Sequence, residues 1–495
     1  MAKPRDPGSF PAKKTTQSGP TEVPPRSPFA GKTTRTARPK PPENRAAGAP
    51  AGNSARKPLQ MPSRAPGKPS KPAPARPSLQ LRPASPLPIG AVISRRASER
   101  IREGHLWVYA TDIESLSTGN GEAPSLLPVA DNRGLLLGTA LYSPASQIAL
   151  RIIVREAVTQ PQWLELLAER LRTSIQRRLR LFDDQTDACR LVYSEADNLP
   201  GLIVDKYAGT VVVQLLAKGL DNPETRVVCA RVLSEELAGP LTVWERADPR
   251  IRELEGLSAP STTPLFASDP SAPQSNSLFR LNGLSFQFDL NSGQKTGAFL
   301  DQRDNYLAAA TWAKSRGIQQ ALDVCTYQGG FALHLARVCQ QVTGIDASRA
   351  SLEVAERNLT VNRDQVTSEV DWVEADAFEL LRAWSESAEQ NHWDMIVLDP
   401  PAFAKSKRAV EGALRGYKEL NLRALKMIRP GGLLVTCSCS HHVSWTDLEG
   451  AVASAAIDAN RRVTLLERRG ASEDHPVLLN LPETEYLKCL ICQVD

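Results

Sequence analysis

From residue 320 to the end, short apolar runs alternate with amphipathic stretches. The runs QALDVC, QVTGID, EVDWVEAD, WDMIVLD, GGLLVTCSCS, RVTLLER and YLKCLICQ read as strands. Most are followed by apolar residues at helical spacing, as from Gly330 and through 350–361, 411–428 and 446–459. Repeated strand–helix units predict an α/β domain with a mostly parallel, doubly wound sheet over 281–495. In such a sheet, ligands sit beyond the C-terminal ends of the strands.

The pattern upstream is different. Residues 89–116 mix a basic run with the aromatic pair Trp107 and Tyr109, and the strand-like GLLLGTALYS and QIALRIIV follow. Pro and Gly signals between them predict a small β-rich module over 89–157. A helix over 160–182 carries arginines opposite its apolar face. Strand candidates at 190–207, 210–217 and 241–247 and a helix at 223–238 complete an α+β unit over 158–280. The turn within the first of these is built on Asn198, Pro200 and Gly201. The Ser/Pro/Ala run at 256–280 is expected to be a low-complexity insertion.

Charge divides the chain unequally. Residues 1–90 hold 8 Lys and 9 Arg against 3 acidic residues, a net of +14, so the other 405 residues carry −9 to reach the chain's +5. The same segment holds 21 of the 38 prolines. It cannot bury enough apolar surface to fold, which predicts a disordered tail over 1–88. The tail serves either as a salt-sensitive arm for a polyanion such as RNA or as a solvated spacer. Its prolines argue against the amphipathic helix of a transit peptide. No run is apolar for the length of a membrane span, and no apolar signal core opens the chain, so a soluble cytoplasmic protein is expected. The eight scattered cysteines are expected to be reduced thiols.

The strand ends carry the chemistry. The first closes on Asp323, and Gly329-Gly330 opens the next helix, where a cofactor can approach backbone. There is no GxGxxG, so a nucleotide without a pyrophosphate fits better than NAD. Asp346 ends the second strand, placed for a ribose diol, and Asp376 ends the third, placed for an adenine amino group. Each alone would be read as a helix cap. Three in register along one sheet edge suggest S-adenosylmethionine.

The fourth strand ends in Asp399-Pro400-Pro401-Ala402-Phe403, a stiff loop that holds a carboxylate and carbonyls at the substrate position. Phe403 is placed to stack on a flipped base. The fifth brings Cys437 and Cys439, two apart and therefore expected on one strand face, then the adjacent His441 and His442. This spacing fits no zinc pattern and no metal is expected. A thiolate beside Asp399 can instead attack an electron-poor ring carbon. Methylation at C5 of a pyrimidine requires that attack. Asp399 would hold the base and, if protonated, assist at N3 or N4. Cys489 and Cys492 lie on an alternating terminal strand and are read as packing; His475 is read as a pocket residue or a turn cap.

The chain resembles the bacterial class I family of 23S rRNA 5-methylcytosine methyltransferases that carry an N-terminal PUA domain. The likeness covers about residues 90–495. It rests on LVYSEADNLPGLIVDKY, NSGQKTGAFLDQRDNY, LDVCTYQGGFALHLA, DPPAFAKSK, CSCSHH and DHPV. It implies a PUA domain, a central α+β domain and a Rossmann-like methyltransferase domain. By the same resemblance the nucleophile is the cysteine of Ser438-Cys439-Ser440, with Cys437 as the alternative. The Asp399 loop lacks the second cysteine of related two-cysteine enzymes. Gln302, Arg303 and Lys295 are expected to hold cofactor or RNA phosphate. Partners implied are 23S rRNA or a large-subunit assembly intermediate, and a homodimer. Two rivals remain: methylation at guanine N2 or N7, which needs no thiol, and an inactive RNA-binding assembly factor.

Overall fold

The computed structural model describes residues 89–119, 124–246, 248–290, 297–387, 392–404 and 406–495; the basic tail and Lys295 lie outside them. Among the described residues no helix is long and apolar enough to cross a membrane.

The first unit is a six-stranded sheet. In chain order it contains β1 (Gly90–Ile93), α1 (Arg95–Arg102), β2 (Trp107–Tyr109), β3 (Ile113–Ser117), β4 (Leu126–Asp131), β5 (Leu136–Tyr142) and β6 (Ile148–Val154). The strands lie in the order β2-β6-β5-β4-β1-β3. Ile93, Ile101, Leu127, Leu150 and Ile152 close its core. The basic run forms α1, started by the Ser94 side chain, which accepts from the Ala97 amide.

A 20-residue helix, α2 (Gln160–Leu179), leads into the second unit, with Thr159 and Gln162 forming a capping box. Trp163, Leu167, Leu171 and Ile175 follow one another at four-residue intervals and bury one stripe of α2 against the second sheet. That sheet contains β7 (Ala188–Tyr193), β8 (Leu202–Tyr207), β9 (Thr210–Leu215), β10 (Thr242–Glu245) and β11 (Phe266–Ala267), ordered β11-β10-β9-β8-β7. Helices α3 (Pro223–Glu236) and α4 (Pro249–Glu255) accompany it.

The run at 256–280 is more than an insertion. Phe266 and Ala267 pair with β10, and β12 (Asn276–Leu281) forms a hairpin with β13 (Leu284–Asp289). The reason is local: Phe279 and Leu281 alternate inward to the core, and Asn282-Gly283, both at positive φ, make the two-residue turn.

The third unit follows as α5 (Arg303–Arg316), β14 (Gln320–Val324), α6 (Gly330–Leu335), β15 (Gln341–Asp346), α7 (Arg349–Val361), β16 (Glu369–Glu374), α8 (Ala377–Ser385), β17 (Trp393–Leu398), α9 (Val410–Met427), β18 (Ile428–Ser438), α10 (Trp445–Ala459), β19 (Val463–Arg469) and β20 (Lys488–Val494). Its seven strands lie in the order β16-β15-β14-β17-β18-β20-β19. The first five are parallel, and β20 runs antiparallel to both β18 and β19. This is the expected doubly wound α/β architecture. Chain order reverses between β14 and β17, so their C-terminal ends mark the topological switch point.

Hydrogen bonds to the buried Asp474 fasten the second unit to the third. Arg178 grips Asp197 in a fork at 2.6 and 2.7 Å and also donates to the Asp474 carbonyl at 3.2 Å. Asp474 accepts the Arg190 amide at 2.8 Å. Burial alone would raise the Asp474 carboxyl, but His475, Arg303 and that amide hold it at about 2.

His334 is buried in α6 against Phe286 and Tyr306, and burial lowers its pKa to about 4. Its folded form is therefore neutral where the unfolded chain would be protonated. This contribution to stability is present above pH 6.5 and is lost as pH falls towards 4. In urea unfolding across that window, His334→Gln is expected to flatten the pH dependence by up to about 3 kcal/mol. An unchanged slope would contradict the assignment.

Candidate active site

A cavity of about 530 Å³ opens at the C-terminal ends of β14, β15, β17 and β18, at the switch point. Its wall contains four carboxylates, those of Asp301, Asp346, Asp376 and Asp399, and aromatic rings that include Phe299, Tyr327 and Phe378. No lysine or arginine lines it among the described residues. Carboxylates and ring faces without a competing cation favour a positively charged ligand.

Strand β18 decides which cysteine reaches this space. The strand ends at Ser438, one residue before Cys439, so the two cysteines do not share the environment that a continuous strand would give. Cys437 is the last inward residue of the core, directly across from Cys489. Burial and the Cys489 contact push its thiol well up, and it stays protonated. Cys439 lies past the strand, half-buried in the cavity wall, with Sγ 3.8 Å from the Pro400 carbonyl.

The flanking serines fix that position. Ser438 Oγ donates to Tyr417 Oη at 2.9 Å, and Ser440 Oγ lies 2.9 Å from the same hydroxyl. Ser440 Oγ also accepts the Ala404 amide at 3.2 Å, which ties the Asp-Pro-Pro loop to the strand end. Phe403 packs on Tyr417 and Phe378, with ring centroids at 4.8 and 5.8 Å, while still facing the cavity. The Ser-Cys-Ser motif is thus a clamp around one thiol.

Asp399 continues the same wall. Its Oδ2 accepts from Gln302 Nε2 at 3.0 Å, Gln302 Oε1 accepts from Asn305 at 2.7 Å, and Asn305 Oδ1 accepts from Arg469 at 3.0 Å. This chain from α5 and β19 orients the carboxylate. Pro400 and Pro401 line the cavity beside it.

At the other end, Asp346 accepts the Tyr327 amide at 3.0 Å and the Ser348 amide at 2.8 Å, presenting its carboxylate at the cavity edge. Asp376 caps α8 through Oδ1 and also faces the cavity. Asp323 lies beneath the wall and does not line it. Its Oδ2 accepts from Thr326 at 2.6 Å and from the Ala332 amide at 2.9 Å, bracing the loop, while Oδ1 is buried without a partner. Burial raises this carboxyl to about 7.

The glycine pair differs from expectation. A Cβ on Gly330 would sit 2.4 Å from the Tyr306 ring, and Gly329 is needed for its φ of +86° beneath Trp372. The pair admits side chains against the backbone; neither glycine lines the cavity. Arg303 is likewise elsewhere, buried at the seam beside Asp304 and 3.6 Å from Asp474. His475 sits at that seam too, against Asp474 and Tyr193.

The structure adds residues that were not singled out from the sequence. Tyr417 holds both serines. Asp301 accepts from the Tyr486 hydroxyl, and both line the cavity. Lys488 is buried and donates to the carbonyl of Ser440, the residue after Cys439; a lysine inside the apolar run YLKCLICQ was the available signal. Cys325 also faces the cavity, but burial and the carboxylates Asp346, Asp399, Asp323 and Asp376 push its thiol well up.

The donor set fits S-adenosylmethionine: carboxylates at two strand ends for the hydroxyls and amine, and an anionic, aromatic space for a sulfonium. Asp346, Asp376 and the Tyr327 loop would hold it. Among the described residues no group of His, Cys, Asp and Glu is arranged to hold a metal ion.

Comparison with known proteins agrees with this geometry. Residues 92–155 match the family described as PUA-like domain, and residues 196–468 match the S-adenosylmethionine-dependent methyltransferase family. A ribosomal RNA large subunit methyltransferase I of Pseudoalteromonas translucida is 34% identical over 399 residues, which is 80% of this chain and 96% of that protein. The protein of the same name from Tolumonas auensis is 36% identical, covering 78% and 94%. A putative methyltransferase structure from Streptococcus mutans superposes with a TM-score of 0.67 at 19% identity, covering 82% of this chain and 100% of that one, a likeness of fold.

Tyr417→Phe removes the hydroxyl shared by Ser438 and Ser440 and is expected to destabilise the fold by about 1–3 kcal/mol in denaturant unfolding. A stability equal to wild type would show that the clamp is not formed.

Proposed function

Because the chain belongs to the S-adenosylmethionine-dependent methyltransferase family, with a PUA-like domain ahead of its catalytic domain, we propose that it methylates C5 of a cytosine in large-subunit ribosomal RNA through a covalent bond between Cys439 and C6. The relatives' name supports the RNA class, and the β-rich first unit supports a nucleic-acid partner. The observation that carries the choice of carbon over nitrogen is the clamped thiol of Cys439 in the wall beside Asp399. Nitrogen methylation needs no thiol there.

C5 of cytosine is not nucleophilic by itself. Cys439 Sγ adds to C6, and the electron pair of the C5–C6 double bond moves so that C5 becomes electron-rich. S-adenosylmethionine, when bound, supplies a methyl group on a positively charged sulfonium for C5 to take. Asp399, oriented by Gln302, accepts a hydrogen bond from the exocyclic amine or, protonated, donates to N3. The electron density that would otherwise build on the ring is held there. Loss of the C5 proton to a base re-forms the C5–C6 double bond, and the Cys439–C6 bond breaks with its electron pair leaving on sulfur as the thiolate. Pro400 and Pro401 keep the loop from yielding while the base is held. Phe403 offers a ring face at the junction of the two ends.

The test is methyl transfer to unmodified 23S rRNA, with nucleosides analysed by mass. Wild type and Cys437→Ala are expected to form 5-methylcytidine, although Cys437→Ala opens a small core cavity. Cys439→Ala is expected to reduce the product at least about a thousandfold. Methylation by Cys439→Ala, or a methylated guanine as product, would replace this reading with a nitrogen-directed one.

A further inference from the structure

Lys488 is a buried charge that methyl transfer as described above leaves unused. It opens β20, stands across from Ser438, and is 3% exposed. Its Nζ donates to the Ser440 carbonyl at 3.2 Å, immediately after Cys439. Among the described residues no carboxylate lies within the 4.0 Å of an ion pair with it. Buried lysines without a partner are rare, because desolvation of an ammonium is strongly unfavourable.

The groups facing it can be counted. On its own side is Glu485, exposed and already accepting from Trp445 Nε1 at 2.8 Å. From α10 comes Asp447, which caps that helix through Ser444. From the loop after β18 comes His441, and from the strand end Cys439. Cys439 in turn has Tyr417 of α9, with Asp399 also acting on that tyrosine. Both carboxylates near Lys488 also serve other partners, and neither forms an ion pair with it.

The cavity raises the complementary problem. Its four carboxylates suit a sulfonium but oppose a second anion; burial first, and then Asp346, Asp399, Asp323 and Asp376, keep Cys325 as a neutral thiol. Cys439 faces the same field. It differs from Cys325 in having, on the carbonyl of the next residue, the Lys488 ammonium, which does not line the cavity.

We propose that Lys488 is a positioning residue that holds Cys439 as its thiolate: a cation placed near the nucleophile, outside the cavity, where it does not compete with the cationic cofactor. Burial favours the neutral amine and is opposed by Glu485, then by the Cys439 thiolate, then by Asp447, so the thiolate and the ammonium support each other. The Ser440 carbonyl fixes the ammonium beside the clamp without neutralising it. This rests on the reading of Cys439 as nucleophile, but its test needs neither RNA nor cofactor.

The rate of iodoacetamide alkylation at Cys439 is measured from pH 6 to 10 on the full-length protein. Peptide mass spectrometry separates Cys439 from Cys325 and Cys437. The wild-type midpoint is expected below the ~8.5 of a free thiol. Lys488→Met is expected to raise it by about one pH unit, an approximately tenfold lower rate at pH 7. Lys488→Arg is expected to retain the wild-type midpoint, which a merely structural role would not predict. A wild-type midpoint at or above ~8.5 overturns the proposal without any variant, as does an unchanged midpoint in Lys488→Met. Should Lys488→Met fail to fold, Lys488→Gln is read in the same way beside the wild type. A low midpoint together with 5-methylcytidine formed by Cys439→Ala would leave the charge pair standing and remove its role in methyl transfer. A normal midpoint with an inactive Cys439→Ala would do the reverse.

Discussion

On the proposed mechanism, one cavity has to attract a cation and still present an anionic nucleophile, and much of the site's construction is explained by that constraint. The cation is served by carboxylates at the ends of successive strands. The proposed nucleophile is served by ending β18 at Ser438, so that Cys439 leaves the sheet where Cys437 remains inside it. Neighbouring thiols show what happens without this arrangement. Cys437 is shut in against Cys489, and Cys325 faces the carboxylates with burial against it; both are held protonated.

Rigid support around Cys439 comes from several elements at once. Tyr417 on α9 binds both serines, Ser440 binds the Ala404 amide of the Asp-Pro-Pro loop, and Lys488 on β20 binds the Ser440 carbonyl. The connection between β19 and β20 extends this support to the other units. Asp474 and His475 join it to α2 and β7, Tyr193 Oη donates to the Thr484 carbonyl, and Tyr486 and Leu487 enter the cavity. The unit that contains Trp107 is tied to the same region, since Trp107 Nε1 donates to Glu195 in the segment beside Asp197. The first two units are therefore tied to the same connection that brings Tyr486 and Leu487 into the cavity wall.

The doubly wound sheet was legible because its strands are apolar runs with carboxylates at their C-terminal ends, and period is a strong signal. Asp346, Asp376, Asp399 and the proline loop could be named from that rule alone, while Cys439 was chosen over Cys437 by the family resemblance; the structure brings all of them to one cavity. Asp323, the glycine pair and Arg303 were less legible. Sequence shows that a residue sits near a strand end, but not whether it faces the ligand or braces the loop behind it. Two of the motifs that most resemble the family, SEADNLPGL and DHPV, place Asp197, Asp474 and His475 at the seam between units. Tyr417 and Lys488 were hidden for another reason. Their roles depend on which neighbours α9 and β20 bring, and β20 reaches β18 only after the chain has passed through α10 and β19. The strand within 256–280 was masked by its Ser and Pro content, although Phe279, Leu281 and the Asn282-Gly283 turn carried the signal.

The covalent step can be observed directly with RNA carrying 5-fluorocytidine at the target. Fluorine cannot leave C5 as a proton does, so the bond between sulfur and C6 cannot be released after methyl transfer. In the presence of S-adenosylmethionine, a protein–RNA adduct that survives denaturation is expected, with its mass located on Cys439 and absent in Cys439→Ser. Turnover of this RNA without any trapped adduct, or an adduct on another residue, would contradict the account.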